Sequence, residues 1–217
     1  PGDKIKSGQL APFEWERLMS RIEILRNAPI YIDDTPSLSV FELRTKARRL
    51  VREHGIKIII IDYLQLMNAS GMSFGSREQE VSTISRSLKQ LAKELQIPII
   101  ALSQLNRSVE SRGNDKDGKE GKRPQLSDLR ESGAIEQDAD MVCFIHRPEY
   151  YTRSKEDANG NSIEGLAEFI IAKHRSGATD TVNMKFVSYL ARFQNYDEDT
   201  RLTDFSAPVT SKFNTPD

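Results

Sequence analysis

The sequence predicts an α/β protein with a mostly parallel sheet flanked by helices and an antiparallel hairpin at one edge. Three observations predict it. Short runs such as "IIIID", "IPIIALSQL" and "MVCFIHR" are apolar through both faces, as strands of a covered parallel sheet are. Amphipathic helical stretches separate them, as crossover connections require. Two late strand-like stretches flank Ser176-Gly177, a tight-turn pair that makes them antiparallel.

In chain order, residues 12–28 place Trp15, Leu18, Ile22 and Leu25 at helical spacing, with Pro12 suited to a first turn. "APIYIDDT" (28–35) is a short apolar strand ending in acids. Residues 37–55 repeat Val40, Leu43, Ala47, Leu50 and Val51 on one helical face and stop at Gly55. "IIIIDYLQLM" (58–67) is a buried strand ending in Asp62, followed by a Gly/Ser loop over 68–76. Residues 77–96 form the clearest helix, striped by Val81, Ile84, Leu88, Leu91 and Leu95. A strand over 97–105 leads into a charged, Gly-rich loop from Arg107 to Arg123, with six cations against four anions and no aromatic for base stacking. A short helix over 126–140, capped by Ser127, precedes a strand over 141–147. The hairpin spans 168–187, and the Pro/Ser/Thr-rich tail after Phe205 is read as flexible. The organisation expected is one partial domain over 1–205 and a tail over 206–217.

Bulk properties narrow the class. The 217 residues are 29% charged and 37% apolar, with no run approaching the roughly 18–20 apolar residues that span a bilayer. The single cysteine, Cys143, rules out a disulfide framework and favours a reducing, cytoplasmic setting. His54, His146 and His174 have no metal-ligand spacing. A net charge of −1 neither favours nor excludes nucleic acid, since a local basic groove fits inside a neutral total. The opening Pro1-Gly2-Asp3-Lys4 lacks an initiating Met, and the chain is read as a fragment.

A strand that delivers Asp62 is how nucleotidases place a carboxylate beside a phosphate-bound metal, and such a strand calls for a phosphate loop, Gly-x-x-x-x-Gly-Lys-Ser/Thr. The nearest match, Gly113 to Lys119, fails. Glu120 stands where a hydroxyl is needed, and Asp115 and Asp117 repel phosphate. Tyr63, directly after Asp62, is no general base. Either the site is dead, or its other half precedes Pro1.

Four motifs in order decide between these: "IIIIDYLQLM", "REQEVSTISRSLKQLAKELQIPIIALSQLNR", "LSDLRESGAIEQDADMVCFIHR" and "FIIAKHRSG". Together they resemble the C-terminal, RecA-like motor domain of DnaB-type replicative DNA helicases, over roughly residues 10–195. The resemblance implies ATP and Mg²⁺ as cofactors, single-stranded DNA as the track and a homohexamer as the working assembly. It also implies primase and a helicase loader as partners, reached through regions outside this chain. In that family the phosphate loop and catalytic Glu lie upstream, so the chain alone is expected to show no ATP turnover. Two other readings stay open: a RecA-fold ATPase of recombination or repair, and a degenerate module that binds only DNA or partners.

The resemblance assigns roles residue by residue. Asp62 holds the water shell of Mg²⁺; the alternative is an acid satisfied at a strand end. Gln104, ending the next strand, senses the γ-phosphate; the alternative is an ordinary polar terminus. Arg130, Glu131 and Gly133 form a DNA-contacting loop, Arg130 neutralising a phosphate and the amides near Gly133 approaching the strand. Lys173 and Arg175, one residue apart on a strand and so on one side of it, act in trans on a neighbour's triphosphate. His174 stands between them where the family usually has Gln or another polar residue; a solvated edge strand, where Lys is common, is the alternative.

Overall fold

In the computed structural model, residues 2–69, 71, 73–112, 122–151, 156 and 162–196 are described. The expected tail, and part of the loop expected over 107–123, lie outside these residues. Helix α1 (Gly2–Ser7) precedes α2 (Pro12–Arg26), which starts on Pro12 as expected, with the Glu14 carboxylate accepting from the Ala11 N–H at 2.9 Å. Its apolar stripe does not bury: α2 has no buried residue, and Phe13, Met19, Ile24 and Leu25 are all more than half exposed.

The strand expected at 28–35 does not form. One of its acids, Asp33, is used locally instead. Asp33 accepts from the Thr35 N–H at 3.1 Å, a turn-forming bond, and pairs with Lys46 at 2.6 Å. Lys46 and Thr35 together hold the Asp33 carboxyl down to about 2. Tyr31 stacks on His54 at 4.5 Å, so the segment lies against the next helix by side chains rather than by a ladder.

Helix α3 (Val40–His54) begins on a reciprocal cap. Ser39 Oγ accepts from the Glu42 N–H at 3.2 Å, and Glu42 accepts from the Ser39 N–H at 3.1 Å. It ends at Gly55, whose φ of 62° suits a residue without a Cβ. Strand β1 (Ile59–Ile61) follows, then a 3₁₀ turn over Leu64–Leu66, then α4 (Arg77–Leu95), capped by Ser76. Strand β2 (Ile99–Ala101) pairs with β1 in parallel, Ile59 opposite Ile99 and Ile61 opposite Ala101. Val40, Leu43 and Ala47 of α3 join Val81, Ile84, Leu88 and Leu91 of α4 in one core, against Ile59, Ile61 and Ile99.

After the short α5 (Ser108–Ser111), a 3₁₀ helix over Leu126–Ser132 runs into α6 (Gly133–Asp138). The expected single helix is thus two pieces, and Ser127 is not its cap. Gln125 takes the cap position, two residues earlier, and the buried Asp128 carboxylate, paired with Arg112, reaches back to the Gln125 N–H at 2.7 Å. Strand β3 (Met141–His146), α7 (Pro148–Tyr151), β4 (Leu166–His174), β5 (Asp180–Val187) and β6 (Arg192–Asn195) complete the order. The hairpin β4–β5 forms, joined by residues 175–179, and the His174 ring fills the space where a Cβ on Gly177 would sit.

The α/β class holds, with a different balance of strands. Among the described residues β1–β2 is the parallel part, and β3-β4-β5-β6 is a separate antiparallel sheet. Each has one covered face. Val142, Phe144 and His146 of β3 point inward while Met141, Cys143 and Ile145 are exposed, and Ile60 is 64% exposed beside a buried core. The apolar runs that read as doubly covered are covered on one side here, because the helices that pack on them share that side.

His146 is the buried titratable group of the second sheet, 4% exposed and stacked on Tyr151 at 5.6 Å. Burial, with the charge of Arg123, pushes its pKa below the ordinary 6.5 against the opposing pull of Glu168. The unfolded chain therefore binds a proton that the folded imidazole refuses, and stability falls as pH drops from about 6.5. Thermal melts from pH 7 to 5 should show this decline, and His146→Phe should flatten it above the carboxylate range; equal slopes in both proteins would show that His146 stays charged when buried.

Candidate nucleotide and DNA site

Parallel pairing sets the first part of the site. In open α/β sheets ligands collect at the carboxyl ends of the strands, because the strand-to-helix loops leave there. Asp62 directly follows β1, is exposed, and joins Tyr63 through a cis peptide. The ladder is continued beyond the strands by Leu102 N–H to Ile61 O at 2.9 Å and Leu64 N–H to Leu102 O at 2.8 Å. Gln104 lies two residues further on, with its side chain exposed. Asp62 and Gln104 thus emerge at the same end of adjacent strands.

Gln65, which the sequence reading passed over, fixes this end. Its side-chain NH₂ donates to Ser103 Oγ at 3.0 Å and to Gln104 O at 3.2 Å, while its carbonyl accepts from the Gln104 N–H at 3.2 Å. Arg77 of α4 in turn donates to Gln65 O at 2.7 Å and Met67 O at 3.1 Å. The main chain of Gln104 is held, while the residue itself is exposed. An open pocket of about 310 Å³ joins Gln65, Ser103 and Gln104 to Asn106, Asp128 and Leu129, at the base of the "DLRESG" segment. The position of Gln65, three residues after Asp62 on a turn, was the available signal.

That segment is the second part. Arg130 and Glu131 lie within the 3₁₀ helix, and their side chains are outside the described residues. Gly133 starts α6 with φ −50° and is exposed; a Cβ built there meets nothing within 4 Å. The fold itself does not require glycine at that point.

The cations form the third part. Lys173 and Arg175 do face one side, and both meet the last turn of α6. Lys173 Nζ donates to Glu136 O and, at 3.0 Å, to Ala139 O, closing the unpaired carbonyls of a helix end. Arg175 sits just past β4, with Nη2 on Gln137 O at 2.9 Å and Nη1 on Asp140 Oδ1 at 3.1 Å. Its side chain remains 49% exposed. His174 between them is half-buried against Gly177. Asp140 is the second residue the sequence reading missed. Hydrogen bonding to Lys89, then the charges of Lys89, Arg175 and Lys93, lower its carboxyl pKa against the cost of burial.

Among the described residues no group of three or more His, Cys, Asp or Glu could hold a metal, and no helix is long and apolar enough to cross a membrane. Residues 1–195 match the family described as the DnaB-like helicase C terminal domain. The chain belongs to that family. It is 50% identical over 191 residues to the replicative DNA helicase DnaB of Geobacillus stearothermophilus, covering 88% of this chain and 39% of that protein. It is 47% identical over 204 residues to the replicative DNA helicase DnaC of Bacillus subtilis (strain 168), covering 94% and 42%. A solved DnaB-like replicative helicase, described with its interactions with primase, superposes with a TM-score of 0.76 at 40% identity, over 89% of this chain and 44% of that one. A solved ATPase domain matches equally well, with 64% of its length covered. The chain therefore spans about two-fifths of the DnaB-type relatives it matches, and its fold is that of their RecA-like ATPase domains.

Removing the Gln65 side chain takes away the bonds it makes to the Gln104 main-chain N–H and carbonyl and to the Ser103 hydroxyl. Gln65→Ala should cost about 1–2 kcal/mol in urea unfolding. A change within the roughly 0.5 kcal/mol of ordinary surface substitutions would show that the bridge holds nothing.

Proposed function

We propose that the full-length protein carrying this chain is a replicative DNA helicase that couples ATP hydrolysis to translocation on single-stranded DNA, as a homohexamer. The carrying observation is family membership at 50% identity, with Asp62 and Gln104 both following the carboxyl ends of paired parallel strands. On this reading residues 1–205 are part of the motor domain and 206–217 its tail. Primase and a helicase loader are partners of the whole protein, which works in the cytoplasm. The relatives' names favour this over a recombination or repair ATPase, and the exposed Asp62 favours it over a module without nucleotide chemistry.

A lone exposed carboxylate fits Mg²⁺, an ion that keeps most of its water and takes further oxygens from phosphate. When bound, the ion neutralises charge on the phosphates. Asp62 would orient that water shell. The Gln104 amide, its backbone held by Gln65, would donate to the γ-phosphate without adding negative charge. The same segment borders the pocket that reaches Asp128 and Leu129, so a shift at Gln104 has a short route to the DNA-contacting residues Arg130, Glu131 and Gly133. A glycine that the fold leaves in open space supports close approach of a DNA backbone there. Contact to phosphates alone gives the sequence tolerance that a motor needs.

Arg175, with half its surface open, is the cation better disposed to reach a neighbour's triphosphate; Lys173 and His174 flank it. Arg175→Ala in the full-length protein should lower ATP turnover by about 10³-fold while ATP affinity holds. Loss of binding with unchanged turnover per bound ATP would argue against action in trans. Arg130→Ala should weaken single-stranded DNA binding alike on all sequences and make the plot of log K against log salt shallower by about 0.7. Sequence-dependent loss, or an unchanged slope, would remove Arg130 from the phosphate contacts.

A further inference from the structure

Arg175 is tied to a single residue twice. Its backbone N–H donates to Asp140 O at 2.8 Å, and its guanidinium meets the Asp140 carboxylate through Nη1. Asp140 lies between α6 and β3, directly before Met141, which pairs with His174 across the antiparallel ladder. The backbone position of Arg175 is thus set by the sheet and its side-chain direction by the carboxylate.

The carboxylate divides its oxygens. Oδ1 takes Arg175, and Oδ2 takes Lys89, which reaches across from α4. Gln137 O takes Nη2 of the same guanidinium at 2.9 Å. Of the five N–H donors of this arginine, two are engaged among the described residues, and the side chain that carries them is 49% exposed. Charge survives this grip. Asp140 is matched by Lys89, so the cluster of Lys89, Asp140 and Arg175 keeps one net positive charge to offer an anion. An unpaired carboxylate in the same place would have cancelled it. Lys173, spent on carbonyls of α6, holds the platform on which Gln137 and Asp140 stand.

We propose that Asp140 is the positioning residue for Arg175, holding its guanidinium against the last turn of α6 so that its open donors face a phosphate of the neighbouring subunit. This rests on the reading of Arg175 as acting in trans. A long side chain that is already directed loses less freedom when it meets the developing charge, so the benefit falls on turnover and not on ATP affinity.

The test compares Asp140→Ala, the isosteric Asp140→Asn and Arg175→Ala in the full-length protein. For both Asp140 variants kcat should fall roughly 10- to 100-fold. The KM and the separately measured Kd for ATP should stay within about twofold, with the melting temperature held, as expected when a contact serves only the transition state. If Asp140→Ala fails to assemble, Asp140→Asn is judged by the same criteria. An unchanged kcat in the Asp140 variants, with Arg175→Ala inactive, would overturn the positioning role and leave the trans reading standing. A fall in melting temperature and ATP affinity alongside kcat would make Asp140 a structural residue only, and overturn it as well. Unchanged turnover in Arg175→Ala would remove the trans reading, and this proposal with it.

Discussion

The structure depends on how α4 packs. Among the described residues the two sheets share no ladder, and α4 packs on β2 on one side and on the segments leading into β3 on the other. It packs on α3 and β2 through its apolar stripe and on α6 and the 126–132 segment beyond. Ile84 and Leu91 are its fully buried side chains, and burying residues of that size contributes about 1.5–3 kcal/mol each. Ile135 of α6 reaches the same core. Polar contacts also cross between the parts: Lys89 of α4 meets Asp140, and the Asn106 N–H donates to Asp128 O at 3.2 Å.

This arrangement explains why the candidate site is spread over three places and still mechanically joined. Asp62 and Gln104 ride on the parallel pair, Arg130, Glu131 and Gly133 on the connecting helices, and Lys173 and Arg175 on the antiparallel sheet. Each place has a polar brace: Gln65 for the first, Asp128 with Arg112 for the second, Asp140 for the third. Gln65 and Asp128 bond main-chain groups and so set backbone position, whereas the Asp140 carboxylate holds the Arg175 side chain itself. Apolar burial supplies stability on one side of the sheets, and the polar braces supply direction at their ends.

Part of the candidate site was legible because Asp62 and Gln104 follow apolar runs that form strands. Asp62 after "IIII" and Gln104 after "PIIALS" needed no tertiary information. Gln65 and Asp140 were not legible, since a carboxamide or a carboxylate acquires its role from what the fold brings within about 3 Å. Gln65 meets Gln104 across 39 residues, and Arg175 meets Asp140 across 35. The cap at Ser127 was misread for a similar reason. The cap falls on Gln125, because the buried Asp128, paired with Arg112, reaches back to its N–H.

By itself the sequence determined the helices α2, α3 and α4, the strands β1 to β5 and the family, because periodicity, capping residues and long motifs are local properties. It could not determine whether 28–35 would pair as a strand, since a ladder needs a partner edge and Asp33 had a nearer one in Lys46. Nor could it say how many strands would be parallel, or which faces would be covered. Those outcomes belong to the tertiary structure. Apolar runs specify that a strand can be buried, but only the placement of α3, α4 and α6 decides from which side.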